Sequence, residues 1–253
     1  MENNIVTLSN QLITASYALT LSERRVVYSF LSIIDNNPED LEEITSDKLY
    51  QINVRDYADL WGIETNNARK EIKEAIDKLY SREITITKNL PEENDTKITV
   101  TRWISSKVSY TRNQDAVALR WAHDIIPYIS ELRKNFTSIK IRWLKLLGSS
   151  FSMRFYDYFL MELNKSRKSH IIVVLTILEV RYLFALDDKY DKVGHLIERV
   201  IAPAIVEISE KTNLSISITD ENGKKTYIKE GKKVVGIKFS VGWDASEKKL
   251  AKK

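Results

Sequence analysis

Cysteine is absent from all 253 residues, and its absence removes disulfides, thiolate metal sites and cysteine nucleophiles together. Such a chain fits a reducing compartment, so a cytoplasmic protein is expected. Proline and glycine are scarce, at 4 and 7 residues, and 43% hydrophobic content stands beside 29% charged. That is the make-up of a folded chain with a sizeable core, not of a disordered one. No window supplies the roughly 18 uncharged apolar residues of a membrane span, and the opening "MENNIVTLSN" lacks the layout of a signal peptide. No membrane partner is expected. The three histidines, His123, His170 and His195, lie far apart and form no His-x-His pair. No G-x-x-x-x-G-K-(S/T) loop is present to cradle a nucleotide phosphate. No cofactor, no metal and no catalytic residue is expected; the sequence reads as a binding protein and not an enzyme.

What the chain does have is an uneven charge. Residues 1–136 hold 17 Lys/Arg against 21 Asp/Glu, a net of −4, while residues 137–253 hold 22 against 14, a net of +8. A cationic second half points to a polyanionic partner there, although a basic surface kept for solubility gives the same count.

The elements repeat in order. In the first half Thr20 and Glu23 have the spacing of a capping box, and Val26, Val27, Phe30, Leu31 and Ile34 follow at helical intervals. Asn53 can cap a short helix that Gly62 ends, and Thr65 or Asn66 starts a longer one with a stripe of Ala68, Ile72, Ala75, Ile76 and Leu79. Two helices about a tight glycine turn form a helix-turn-helix. The alternating "REITITK", "KITVTRWISSKVSYTR" and "AVALRWA" add strands, and "HDIIPYISELR" reads as a closing helix. The second half runs likewise: a helix in "SSFSMRFYDYFLMELN", a capping box from Thr176 to Glu179, a turn, a long helix with Asp191 as its candidate N-cap, and strands about Asn222-Gly223, a type I′ turn signal. The expected fold is α+β, two tandem winged-helix domains spanning 1–133 and 134–253.

The long helix of the second half carries the functional argument. Val193, Leu196, Ile197, Val200, Ile201, Ala204, Ile205 and Ile208 make one core stripe. Across from it lie Lys192, His195 and Arg199, with Lys189 and Tyr190 just upstream, whereas beyond Pro203 come Glu207 and Glu210. Cations at the leading turns and acids behind suit a recognition helix that enters a major groove by its N-terminus. The plainer alternative is a solvated face on a helix that Pro203 bends around the core. Lys224, Lys225, Lys232 and Lys233 suit a wing that grips phosphate, or an edge strand guarded against aggregation. In the first half Asn66, Asn67, Arg69 and Lys73 could read bases, but Glu71, Glu74 and Asp77 dilute the field, so weaker contact is expected there.

Taken together, "VTLSNQLITASYALTLSERRVVYSFLSII", "SSFSMRFYDYFLMEL", and "LIERVIAPAIVEISEKTNLSI" with "KKVVGIKFSV" resemble the iteron-binding replication initiators of theta-replicating bacterial plasmids. The resemblance covers nearly the whole chain, in order. It implies a protein that binds double-stranded DNA at direct repeats of an origin, promotes opening of adjacent A+T-rich DNA, and recruits the host replication initiator and replicative helicase. It also implies a homodimer through the N-terminal domain and repression of its own gene. By the same resemblance the C-terminal domain makes the principal contacts, through Lys189, Tyr190, Lys192, His195 and Arg199. A transcriptional repressor without initiator activity shares this physics and stays the alternative. A rolling-circle nickase is disfavoured by the missing His-x-His pair.

Overall fold

The computed structural model describes residues 4–35, 44–90, 94–109, 115–130, 135–186, 189–219 and 222–244. The chain separates into two compact units, Met1–Lys145 and Leu146–Lys253. The first contains β1 (Ile5–Ser9), α1 (Asn10–Thr14), α2 (Leu21–Asp35), β2 (Tyr50–Asn53), α3 (Val54–Trp61), α4 (Thr65–Leu79), β3 (Glu83–Leu90), β4 (Asp95–Arg102), β5 (Ile104–Ser109), β6 (Ala116–Trp121), α5 (Ile126–Ser130) after a short 3-10 turn, β7 (Phe136–Lys140) and α6 (Ile141–Leu144).

Local chemistry sets these elements. The Thr20–Glu23 box forms: Glu23 N–H donates to Thr20 Oγ1 at 3.3 Å, and Thr20 N–H donates to Glu23 Oε2 at 2.7 Å. The Glu23 carboxylate is fully buried, and its other oxygen accepts from Arg82 Nε at 3.0 Å, so the cap also ties α2 to the segment after α4. Asn53 Oδ1 caps α3 by accepting from Arg55 N–H at 2.9 Å, and Gly62 at φ +66° closes it. Side-chain hydrogen bonds fasten α3 both to α4 and to α2. Tyr57 donates to Glu71 Oε1 at 2.7 Å, and Trp61 Nε1 donates to Ser29 Oγ at 2.8 Å. Burial, reinforced by the Glu71 charge, drives the Tyr57 phenol far above its ordinary pKa, so it remains a donor. The side chain of Ile34, assigned to the α2 stripe, lies outside the described residues.

Two expectations change in this unit. The domain boundary moves from 133/134 to Lys145/Leu146, because β7 pairs antiparallel with β1, Ile5 opposite Lys140 and Ser9 opposite Phe136. The "KITVTRWISSKVSYTR" segment splits at Trp103 into β4, which pairs with β3, and β5, which pairs with β6. Trp103 is 1% exposed and meets Tyr17 edge-on at 4.9 Å, and this anchor turns the chain from one ribbon to the other. Helix α4 starts at Thr65, one of the two expected starts, and the N-cap before it, Glu64, makes no side-chain cap bond.

The second unit contains α7 (Ser150–Ser166), β8 (His170–Thr176), α8 (Ile177–Phe184), α9 (Val193–Leu196), a π-turn over Ile197–Ile201, α10 (Ala202–Lys211), β9 (Leu214–Ser217), β10 (Tyr227–Glu230) and β11 (Lys233–Trp243). β11 is the spine of its sheet. It pairs with β8 along one side, and with β10 and then β9 along the other. Phe155, Phe159, Phe184 and Phe239 fill the space between α7, α8 and β11, with Phe239 5.0 Å from Phe159. The full capping box of Thr176 and Glu179 starts α8. The expected turn at Asn222-Gly223 falls in an irregular link between β9 and β10. The hairpin turn is instead Gly231-Lys232, between paired Glu230 and Lys233, with Gly231 at φ +59°. Both units have the winged-helix order, a helix-turn-helix followed by a hairpin.

Candidate nucleic-acid interface

The helix-turn-helix of the second unit is built by α8, the segment after it, and the α9–π-turn–α10 run. Helix geometry begins at Val193 with Lys192 as the N-cap, not at Asp191, and no side chain caps this first turn. Lys189, Tyr190 and Asp191 therefore lie in the loop before the helix. The core stripe is seated as its spacing requires: Leu196, Val200, Ile201, Ala204, Ile205 and Ile208 are buried, and Val193 and Ile197 are half-buried. Gly194 leaves the outer side of the first turn bare, since a Cβ there would meet nothing within 4 Å.

Pro203 does not simply kink a regular helix. The residues just before it widen into the π-turn, where Ala202 N–H donates five residues back to Ile197 O. Proline lacks an N–H and its ring crowds the carbonyl four residues earlier, so a locally wider ladder absorbs both problems. Pro203 then sits in the first turn of α10, where a missing donor costs little.

The residues expected at the interface converge. Lys189, Tyr190, Asp191, Lys192, His195 and Arg199 line one open depression. Lys189, Lys192 and Arg199 are exposed, while Tyr190 and His195 are half-buried at its wall. Among the described residues, none of these four basic side chains is in an ion pair. One acid, Asp191, sits among them. The wing adds Lys224, Lys225, Lys229, Lys232 and Lys233, all exposed. Lys232 is in the tight turn itself, and Lys225 bridges Thr219 in the link before β10.

One acid at the rear of the helix, Glu207, has partners that the charge pattern alone does not reveal. Glu207 accepts from Gly148 N–H at 2.9 Å and Lys211 Nζ at 2.7 Å, which joins α10 to the start of α7. Burial pushes its pKa up, but the hydrogen bonds and the Lys211 charge outweigh burial, and its carboxyl ends below its ordinary value. The ionised form is thus the one that folding favours. Its contribution is present at and above the ordinary carboxylate range and is lost as pH falls through the lowered folded value. Glu207→Gln is expected to destabilise the second unit by about 1 kcal/mol at neutral pH, since the group is partly solvated. Thermal melts should show the gap to wild type closing in acid; a constant gap from pH 7 down to 3 would contradict this role.

The counterpart on α4 is differently placed. Arg69 pairs with Asp115 and donates to Asn66 Oδ1 at 3.3 Å, and Asn66 donates to Glu64 Oε1 at 3.3 Å. Two of its four expected contact residues are thus engaged locally, whereas Asn67 and Lys73 are exposed.

One residue of the site carries almost no sequence signal. Arg181, on α8, donates to four backbone carbonyls of the turn: Leu186 at 3.2 Å, Lys189 at 2.8 Å, Tyr190 at 2.6 Å and Asp191 at 3.2 Å. Its one mark is a lone cation in the otherwise apolar "VRYLFAL".

Similarity to known proteins follows the same lines. Residues 5–160 match the family described as "Initiator Replication protein, WH1", and residues 176–241 match "Initiator Rep protein, WH2". The chain is similar to a replication initiation protein of Escherichia coli, at 21% identity over 227 residues, which cover 89% of this chain and 68% of that one. It is also similar to an uncharacterized 27.6 kDa protein of Escherichia coli, at 25% identity over 223 residues, covering 85% and 90%. Its fold is similar to that of the Pi initiator protein, solved in complex with iteron DNA, with a TM-score of 0.71 and 22% identity over 97% of this chain and 99% of that one. With the first family match alone spanning more than half of the sequence, the chain belongs to the initiator replication protein family, built from two tandem winged-helix domains.

Proposed function

We propose that this chain initiates plasmid replication by binding direct repeats in double-stranded DNA at the origin. The second unit supplies the main contacts and the first unit adds weaker ones. Opening of the adjacent DNA, recruitment of a host replication initiator and replicative helicase, dimerisation through the first unit and repression of its own gene belong to the same reading. The observation that carries it is the gathering of Lys189, Lys192, His195 and Arg199, free of ion pairs among the described residues, around the uncapped leading turn of the recognition helix. An uncapped first turn offers N–H donors and the positive end of the helix dipole to phosphate, and the bare Gly194 side lets a duplex come close. Supporting it from outside is the similar fold of an initiator solved with iteron DNA.

Footprinting on the DNA flanking the chain's own gene tests the reading. Regularly spaced protected repeats are expected, and no protection would refute it. The repressor alternative separates at the next step. An origin fragment plus this gene should sustain an otherwise non-replicating plasmid, and operator protection without replication would favour the repressor.

The wing makes a narrower prediction. Lys232→Ala should weaken binding to all sequences alike and lower the slope of log affinity against log salt by about one unit. A loss confined to the repeat sequence would show that Lys232 reads bases and does not grip phosphate.

A further inference from the structure

The sequence between α8 and α9 contains no glycine, yet among its described residues, 185–186 and 189–192, two lie in the left-handed region. Ala185 has φ +47° and Tyr190 has φ +56°. The corresponding turn of the first unit is short and uses Gly62 for this conformation. Positive φ is sterically costly for non-glycine residues, and they hold it only where the surroundings over-determine the backbone. At Tyr190 one side chain holds the backbone on both sides. Arg181 Nη2 takes the Tyr190 and Asp191 carbonyls, while Nη1 takes those of Leu186 and Lys189. The carbonyl of the strained residue and those on both sides of it are thus held by a single planar fork. Val180, Leu183 and Phe184 bury the helix that carries that fork, so its base is rigid.

We propose that Arg181 is a positioning residue for sequence discrimination. By fixing the carbonyls of Leu186, Lys189, Tyr190 and Asp191 it sets how Lys189 and Tyr190 meet a base sequence, without touching DNA itself. This rests on reading the depression as a duplex-binding face. The chemistry separates Arg181 from its cationic neighbours. Four of its donors are already committed to carbonyls, so it has little to give a phosphate. A lysine would keep the charge and the aliphatic stem but could not fork across the carbonyls in one plane.

The experiment compares the full chain with its Arg181→Lys variant on two probes. One is the duplex fragment protected in the footprint beside its own gene; the other is a scrambled duplex of equal length and composition. Wild type is expected to prefer the first. Arg181→Lys should lose about tenfold or more on the protected fragment, change less than about twofold on the scrambled one, and keep the same salt slope. Amide exchange should quicken at Lys189–Lys192 while β11 stays protected. Retained discrimination by the variant overturns the proposal alone. An equal loss on both duplexes with the slope lowered by about one makes Arg181 a phosphate contact and overturns it too. Lost protection throughout β11 makes Arg181 a general stability residue and likewise overturns the positioning role. A wild-type chain that cannot tell the duplexes apart overturns the reading of the face itself.

Discussion

Replacing Phe239 with alanine is expected to cost the second unit about 3–5 kcal/mol, a loss at the upper end for a single core truncation. Phe239 has no exposed surface, and its ring lies 5.0 Å from Phe159 and 6.3 Å from Phe155. Those two rings stack on each other along α7, and Phe155 reaches Phe184 of α8 at 4.7 Å. Removing the ring opens a cavity where helix, helix and sheet meet, and aromatic partners on these elements cannot all collapse into it. The residue also lies on β11, which every other strand of that sheet pairs with. A domain of this size is stable by about 5–15 kcal/mol, so the loss is a large share of the total. Its melting transition should fall by roughly 15 °C or more, and duplex binding should fail at temperatures the wild type tolerates. Calorimetry checks this, with the transition of the first unit serving as the reference. A fall of only a few degrees would mean that the ring is not packed as described.

Arg199→Ala should leave folding intact and remove about 1–3 kcal/mol of binding to the repeat duplex, roughly a 5- to 150-fold loss. Arg199 is exposed, lies inside the π-turn, and lines the same depression as Lys189 and Lys192. It has no acidic partner among the described residues, so none of them competes for its fork. If it pairs with a guanine edge, the loss should concentrate on the repeat sequence and relax the preference at one position. Equal weakening on every duplex would reassign it to the backbone, and unchanged affinity would take it out of the interface. Competition binding at fixed salt, followed by selection of preferred sites with the variant, reads all three outcomes.

How far the fold and the interface are legible in the sequence depends on the range over which each feature is encoded. The caps at Thr20, Asn53 and Thr176, and the glycine close of α3, are written within a few residues, and each forms as spaced. The recognition stripe and the cations opposite it are likewise one helix wide. The β1–β7 pair is invisible, because its partners lie more than a hundred residues apart and neither five-residue strand is distinctive alone. β8, "HIIVVLT", ends on Thr176, the same residue that caps α8, so no turn residue separates strand from helix to mark its end. The π-turn leaves no trace but the proline that follows it. Arg181 has no pattern to betray it, because its acceptors are main-chain carbonyls, which every residue has. The acids beyond Pro203 look, in sequence, like groups kept away from a polyanion, but Glu207 has a positive task in joining α10 to α7.

The seam between β1 and β7 has a consequence for biogenesis. During synthesis the strand Ile5–Ser9 has no partner until residue 140 has left the ribosome, a wait of roughly 7–27 s at bacterial-like elongation rates. Through that interval its alternate residues Val6 and Leu8, sequestered in the finished molecule, remain available to any holdase. The first unit can therefore complete itself only when translation has already reached the threshold of the second.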